Sequence, residues 1–269
     1  MRAHLLQVDI AWEDKRQSRA RAERLLDAAE PVDAGDLIVL PEMCETGFSM
    51  RTDLTADRDG SGAAWLAGIA RERRCFVIGG ITVAPPSGLA LNRACIFGPD
   101  GAAIDQYDKV HPFSFGKESG HFAGGVRAAV VAVGGLRLAP AVCYDLRFPE
   151  LFRAGRALGA EAFAVIANWP AERAHHWRSL LIARAIENQA IVLGVNRAGA
   201  DPHLRYAGGS IAVGPRGEVI AEAGEAETVL QVALDPAAAR QWRAQFRAWD
   251  DARPGLLPRT DAMGRFPAG

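Results

Sequence analysis

No two of the four cysteines, Cys44, Cys75, Cys95 and Cys143, form a CxxC pair, so the usual signature of a structural zinc site is missing. Four isolated thiols fit a reducing compartment better than a disulfide framework. Long apolar runs are missing as well, none approaching the ~20 residues of a membrane span. The opening stretch "MRAHLLQVDIAWEDK" lacks the apolar core and small-residue cleavage site of a signal peptide. Both absences predict a cytoplasmic protein without membrane contact. Charge of one sign is not in excess: 31 Lys and Arg face 32 Asp and Glu, which leaves no electrostatic footprint for nucleic acid. The basic cluster Arg71, Arg73 and Arg74 has acids nearby and reads as a solvated helix face. No G-x-S-x-G elbow, no G-x-G-x-x-G and no P-loop occurs, which argues against a serine hydrolase and a nucleotide-binding enzyme. His175 and His176 are adjacent and would point about 100° apart on a helix, a poor basis for metal ligation.

What is present is patterned apolar sequence. Of the 269 residues, 49% are hydrophobic, enough for a large core. "AHLLQVDI" alternates like a strand, and "DLIVLPE", "CFVIGGITV", "EAFAVIANW" and "AIVLGVN" are short apolar runs expected of buried strands. Charged amphipathic stretches lie between them: "EDKRQSRARAERLLDAAE" with Leu25, Leu26 and Ala29 inward, about 62–73, 148–158, and "AERAHHWRSLLIARAIENQ" with Trp177, Leu180, Leu181 and Ala185 on one face. Two hairpins share a design, around Pro99-Asp100-Gly101 and around Pro215-Arg216-Gly217. The order strand–helix–strand–helix–strand–hairpin therefore runs twice, which predicts an α/β fold of two sheets packed face to face with helices outside. No linker divides the chain, so residues 1–269 read as a single domain. Residues 236–269 form a C-terminal helix and an extended Pro/Gly-rich tail, either frayed or laid across a partner subunit.

Three predicted strands end in reactive side chains: Glu42 after "LIVLP", Lys109 after "AIDQYD" and Cys143 after "LAPAV". A base, a cation and a thiol suffice to hydrolyse an amide through a thioester. Singly, each has a plainer reading: a loop carboxylate, a surface lysine, a packed cysteine. A cysteine between a strand and a helix N-terminus, near an ammonium, is expected to favour the thiolate. Arg147 and Glu150 flank the helix start and are expected to pair as structural ions, the alternative being contact with the substrate. Cys44 is read as packing. Pro140 removes a ladder donor and predicts an irregular or edge-like strand at that point.

The stretches "LPEMCETGF", "YDKVHPF", "CYDLRFPELFR" and "ARAIENQAIVLGVNRAG" resemble, in this order and across nearly the whole chain, the carbon–nitrogen hydrolase (nitrilase) superfamily. "ANWPAERAHHWRSLLIARAIENQ" and "YAGGSIAVGPRGEVI" are closest to its ω-amidase-like branch. The resemblance implies a four-layer αββα sandwich of the nitrilase type, no metal, no organic cofactor, and a homodimer or larger assembly. It also implies Cys143 as nucleophile, Glu42 as general base, and Lys109 with the backbone N–H of Tyr144 as oxyanion donors. Glu118, in "FGKESGHF", matches the family's second glutamate, which orients the lysine and the substrate. The implied reaction is ammonia release from a small amide, the ω-amide of an α-keto dicarboxylate such as α-ketoglutaramate or α-ketosuccinamate. Arg173 is the candidate for the substrate carboxylate, with Asn168 and Trp169 shaping the pocket. The alternatives are an amidase on deaminated glutathione, an N-carbamoyl amino acid hydrolase, a nitrilase, or a catalytically silent member that binds a small amide.

Overall fold

A computed structural model describes residues 1–267; the last two positions of the predicted tail lie outside the described residues. Among the described residues, fourteen strands and six α-helices follow one another. The first half runs β1 (Arg2–Gln7), α1 (Lys15–Ala28), β2 (Leu37–Val39), α2 (Thr52–Thr55), α3 (Ser61–Arg73), β3 (Phe76–Val83), β4 (Leu91–Phe97) and β5 (Ala103–Asp108). The second half begins with β6 (Val131–Val133), β7 (Leu136–Val142), α4 (Pro149–Ala157), β8 (Ala162–Ala167), α5 (Ala174–Asn188) and β9 (Ile191–Asn196). It continues with β10 (Ala198–Ala200), β11 (Arg205–Ala207), β12 (Ile211–Val213), β13 (Val219–Glu222), β14 (Thr228–Ala233) and α6 (Ala238–Gln245).

Two six-stranded sheets result, in the orders β14-β1-β2-β3-β4-β5 and β6-β7-β8-β9-β12-β13. Their pairings follow one pattern, antiparallel, parallel, parallel, antiparallel, antiparallel. The doubled order of the sequence is thus a doubled sheet, with β14 returning from the second half to close the first. Strands with both faces covered read as apolar runs. In β2, Leu37 and Val39 enter the core between the sheets while Ile38 faces the outer helical layer. Helices α1 and α3 pack on the first sheet and α5 on the second, with α4 beside it. The protein is a four-layer αββα sandwich.

Helix α1 uses Ala22 and Leu26 as its buried face, and α5 uses Trp177, Leu181 and Ala185; Leu25 and Leu180 are only half-buried. Pro140 sits where β6 has already ended, since β6–β7 pairing stops at Leu138 while β8 continues alongside. The strand is edge-like there, as the missing N–H requires. The tail after α6 folds back on its own chain: Ala128 N–H donates to the Gly264 carbonyl and Phe266 N–H to the Val126 carbonyl, at 2.9 and 2.8 Å.

Candidate active site

The turns that follow β2, β5, β7 and β8 converge at one rim of the two sheets. Ligand sites of α/β proteins collect at such carboxyl ends of parallel strands. Glu42, Lys109 and Glu118 meet there with essentially no solvent exposure. Lys109 Nζ donates to Glu42 Oε1 at 2.9 Å and to Glu118 Oε2 at 2.8 Å. An ammonium has three N–H donors, so one is left after these two bonds. Glu118 Oε2 also accepts the backbone N–H of Phe113, and Glu42 Oε2 accepts that of Asn168 at 2.8 Å. The sequence placed these residues 67 positions apart for Glu42 and Lys109, and the fold brings them into one ion cluster.

Cys143 sits beside this cluster at the end of β7, partly accessible to solvent. Its φ of 46° lies in the left-handed region, sparsely populated for a residue with a side chain and a hallmark of functional turns. A 3-10 turn over Cys143–Arg147 intervenes before α4. The predicted helix N-terminus is therefore one short turn, and the long helix starts only at Pro149. Asp145 holds this turn in shape. Its buried carboxylate accepts Val142 N–H at 3.0 Å, Tyr107 Oη–H at 2.7 Å and the His111 backbone N–H at 3.0 Å.

The electrostatics correct one expectation. Burial raises the Cys143 thiol well above its ordinary range, the Glu42 charge raises it further, and Lys109 only partly opposes them. Burial, joined by the two carboxylates, outweighs the one ammonium, so the resting sulfur keeps its proton. Glu42 moves the other way: burial raises its pKa, but the Lys109 ammonium and hydrogen bonds from Lys109, Asn168 and Asn92 hold it below the usual carboxylate value. Lys109 is pushed upward by Glu42 and Glu118 despite its burial. A protonated thiol therefore faces an ionised carboxylate.

The sequence model of the carbon–nitrogen hydrolase family matches residues 2–244. The chain belongs to that family. It is 38% identical over 251 residues to the omega-amidase YafV of Escherichia coli K12, covering 92% of this chain and 95% of the relative. It is 32% identical over 253 residues to the 2-oxoglutaramate amidase of Bacillus subtilis 168, covering 93% and 97%. Among solved structures it resembles XC1258 of Xanthomonas campestris, a CN-hydrolase superfamily protein with an arsenic adduct in the active site. That likeness has a TM-score of 0.89 at 35% identity and covers 96% of this chain and 98% of the other.

In this carbon–nitrogen hydrolase the thiol and the ammonium open into a small pocket of about 420 Å³, its mouth included, lined also by Tyr144, Asn168, Trp169 and Arg173. The candidate site residues Glu42, Lys109, Glu118, Cys143, Tyr144, Asn168, Trp169 and Arg173 thus border one space or the ion cluster beneath it. Phe48, Phe113, Pro170 and Leu204 complete its apolar walls. Asn168 anchors the Glu42 segment through Nδ2, which donates to the Glu42 carbonyl at 2.7 Å. Arg147 also lines the pocket, and among the described residues it forms no ion pair with Glu150. Its guanidinium lies 4.8 Å from the Trp169 ring centroid and 3.3 Å from His176 Nδ1. The expected structural pair is absent because Arg147 turns toward the aromatic pocket wall. The sequence reading also passed over Asn92 and Asp145. Asn92 carries a usable signal: it is a polar residue on the inward face of an alternating strand, in phase with buried Ala94 and Ile96, and such a group must find partners.

Proposed function

We propose that the protein hydrolyses the ω-amide of an α-keto dicarboxylate, with α-ketoglutaramate or α-ketosuccinamate as substrate, and releases ammonia. The observation that carries this reading is a pocket with a thiol and an ammonium at one end and two guanidinium groups in its wall that no buried carboxylate neutralises. Arg173 has only Glu172, at 3.8 Å, for a partner, and Arg147 has no carboxylate partner among the described residues. An anionic amide supplies what they lack, since charge-assisted bonds to guanidinium are strong in apolar surroundings. The names of the Escherichia coli and Bacillus subtilis relatives point to the same substrate class.

In the proposed cycle Cys143 Sγ attacks the amide carbon as its proton passes to Glu42. The raised thiol pKa makes this a concerted transfer to a general base rather than attack by a standing thiolate. The oxyanion takes the unused N–H of Lys109 and the backbone N–H of Tyr144. Glu42 returns the proton to the departing nitrogen, ammonia leaves, and a thioester remains on Cys143. Water then attacks the thioester with Glu42 again as base, which frees the dicarboxylate and restores the thiol. Glu118 holds Lys109 from the far side, and Asn168 and Trp169 shape the pocket around the keto acid.

The proposal includes one domain acting as a cytoplasmic homodimer. Among the described residues no helix is long and apolar enough to cross a membrane. Exposed Ile186 on α5 and Phe246 after α6 offer apolar surface for a second copy, and light scattering reads the assembly. The decisive assay is ammonia release from α-ketoglutaramate by the wild type and Cys143→Ala, with glutamine and a simple nitrile alongside. Turnover of the keto acid amide that vanishes in the variant is the expected result. Turnover that survives in Cys143→Ala removes the nucleophile assignment.

A further inference from the structure

Asn92 on β4 takes no part in the proposed cycle, yet it is wholly buried in the ion cluster. Its Nδ2 donates to Glu42 Oε1 at 2.7 Å and to Glu118 Oε1 at 2.8 Å. Its Oδ1 is buried without a partner. A flipped amide would aim that oxygen at two carboxylates, so the orientation is fixed by its neighbours. An orphaned buried carbonyl is unfavourable, and it persists here because both N–H groups are engaged by carboxylates.

Lone pairs on Glu42 can be counted. Oε1 accepts from Lys109 at 2.9 Å and from Asn92 at 2.7 Å, which fills it. Oε2 accepts from Asn168 N–H at 2.8 Å. Asn168 Nδ2 donates one N–H to the Glu42 carbonyl at 2.7 Å and reaches Oε2 with the other at 3.3 Å. Oε2, held by one short bond and one long one, is the oxygen more open to a proton.

We propose that Asn92 is a positioning residue: with Lys109 it saturates Oε1 of Glu42, confines the shuttled proton to Oε2, and keeps Glu118 apart from Glu42. The inference rests on Glu42 acting as the base. The proton leaves Sγ for Oε2 as the S–C bond forms, and leaves Oε2 for nitrogen as the C–N bond breaks. The titratable groups around Glu42 are Lys109 after β5, Glu118 in the following loop, Cys143 after β7 and Tyr206 on β11. Without the Asn92 amide, Lys109 alone bridges Glu42 Oε1 and Glu118. Glu42 then loses a donor that favours its charged form, and the base is lost to protonation at higher pH.

The test measures kcat and KM for α-ketoglutaramate from about pH 4.5 to 9 in wild type, Asn92→Ala, Asn92→Ser and Cys143→Ala, with the folded fraction of each from thermal melts. Asn92→Ala is expected to lower kcat at least about tenfold with KM within about twofold, and to move the acid limb of kcat/KM up by about one pH unit. Asn92→Ser keeps a single donor and should fall between. A kcat loss that only tracks the folded fraction, with the acid limb unmoved, overturns the proposal. Should Asn92→Ala not fold, the presence or absence of a limb shift in Asn92→Ser decides. Activity surviving in Cys143→Ala overturns the reading of the site itself. An inactive Cys143→Ala beside an unmoved Asn92 limb overturns only the role of Asn92.

Discussion

A Cβ on Gly80 would stand 2.7 Å from the Cα of Glu42 and 2.8 Å from the backbone nitrogen of Met43. Strand β3 therefore presses directly on the turn that delivers the base. Cys44 N–H donates to the Gly80 carbonyl at 2.8 Å and Gly80 N–H to the Pro41 carbonyl at 3.1 Å, which fastens the turn at two points.

Gly80→Ala is expected to push Glu42 away from Lys109 and Cys143. A misplacement of about 1 Å in a catalytic group can lower rates about a hundredfold, while overpacking at such a site destabilises by about 1–3 kcal/mol. The enzyme should fold with a reduced Tm and lose kcat far beyond its loss of folded protein. Ammonia-release kinetics beside a thermal melt check this, and near-normal kcat would mean that the turn can shift without disturbing the base.

The charge balance at Cys143 gives a prediction in which two readouts move in opposite directions. Burial and the Glu42 charge keep the thiol protonated, so alkylation of the resting enzyme by iodoacetamide should keep rising through pH 9 with no plateau near neutrality. Glu42→Gln removes one of the two opposing negative charges and leaves the Lys109 ammonium. Alkylation at pH 7 should then become faster, while amide hydrolysis falls by at least about a hundredfold for want of a base. Slower alkylation in Glu42→Gln would mean that the carboxylate, not the ammonium, governs the sulfur.

Much of this was legible in the chain because burial on both faces leaves an apolar run that no surface strand shows. Strands β2, β8 and β9 and both Pro-Gly hairpins were read in place for that reason. The strands β6, β10 and β11, three residues each, were not, since they are defined by a partner rather than by a local pattern. Glu42, Lys109 and Cys143 each follow a strand closely, but the resemblance of their flanking motifs to the carbon–nitrogen hydrolases is what singled them out. The positive φ of Cys143 and the turn held by Asp145 were not legible, because they depend on Tyr107 and His111 arriving from elsewhere in the chain. Arg147 was misread for a related reason: proximity to Glu150 in sequence suggested an ion pair, whereas the ring of Trp169, reached only through the fold, holds the guanidinium.

Asp36 links the start of β1 to the loop before β2. Burial raises its pKa, but hydrogen bonds from the Arg2 and Asp33 backbone and from His4 leave it lowered overall. A carboxylate with a lowered folded-state pKa stabilises the fold above its unfolded value of about 3.9 and loses that contribution as pH falls through the folded value. The Tm of the wild type should therefore drop as pH is taken below about 4. Asp36→Asn should lower Tm at pH 7 and flatten its decline in that acid range. Parallel melts that differ by a constant amount at every pH would count against this linkage.

The two arginines of the pocket wall separate substrate recognition from chemistry. Neither belongs to the ion cluster, so their removal should leave the thiol, the base and the ammonium in place. Arg173→Ala is expected to raise KM for α-ketoglutaramate by about ten- to a hundredfold, the value of one charge-assisted bond of about 1.5–3 kcal/mol. KM for a neutral amide of the same length should change little. Arg147→Ala should show the same discrimination if the guanidinium on Trp169 reaches the keto acid. A uniform loss across charged and neutral substrates would instead assign it to holding the pocket wall, because an arginine packed on an indole contributes shape as well as charge. The double variant then distinguishes two contacts to one carboxylate from contacts to two groups. Sharing one carboxylate makes the combined effect smaller than the sum of the single effects, whereas separate contacts to carboxylate and keto oxygen add.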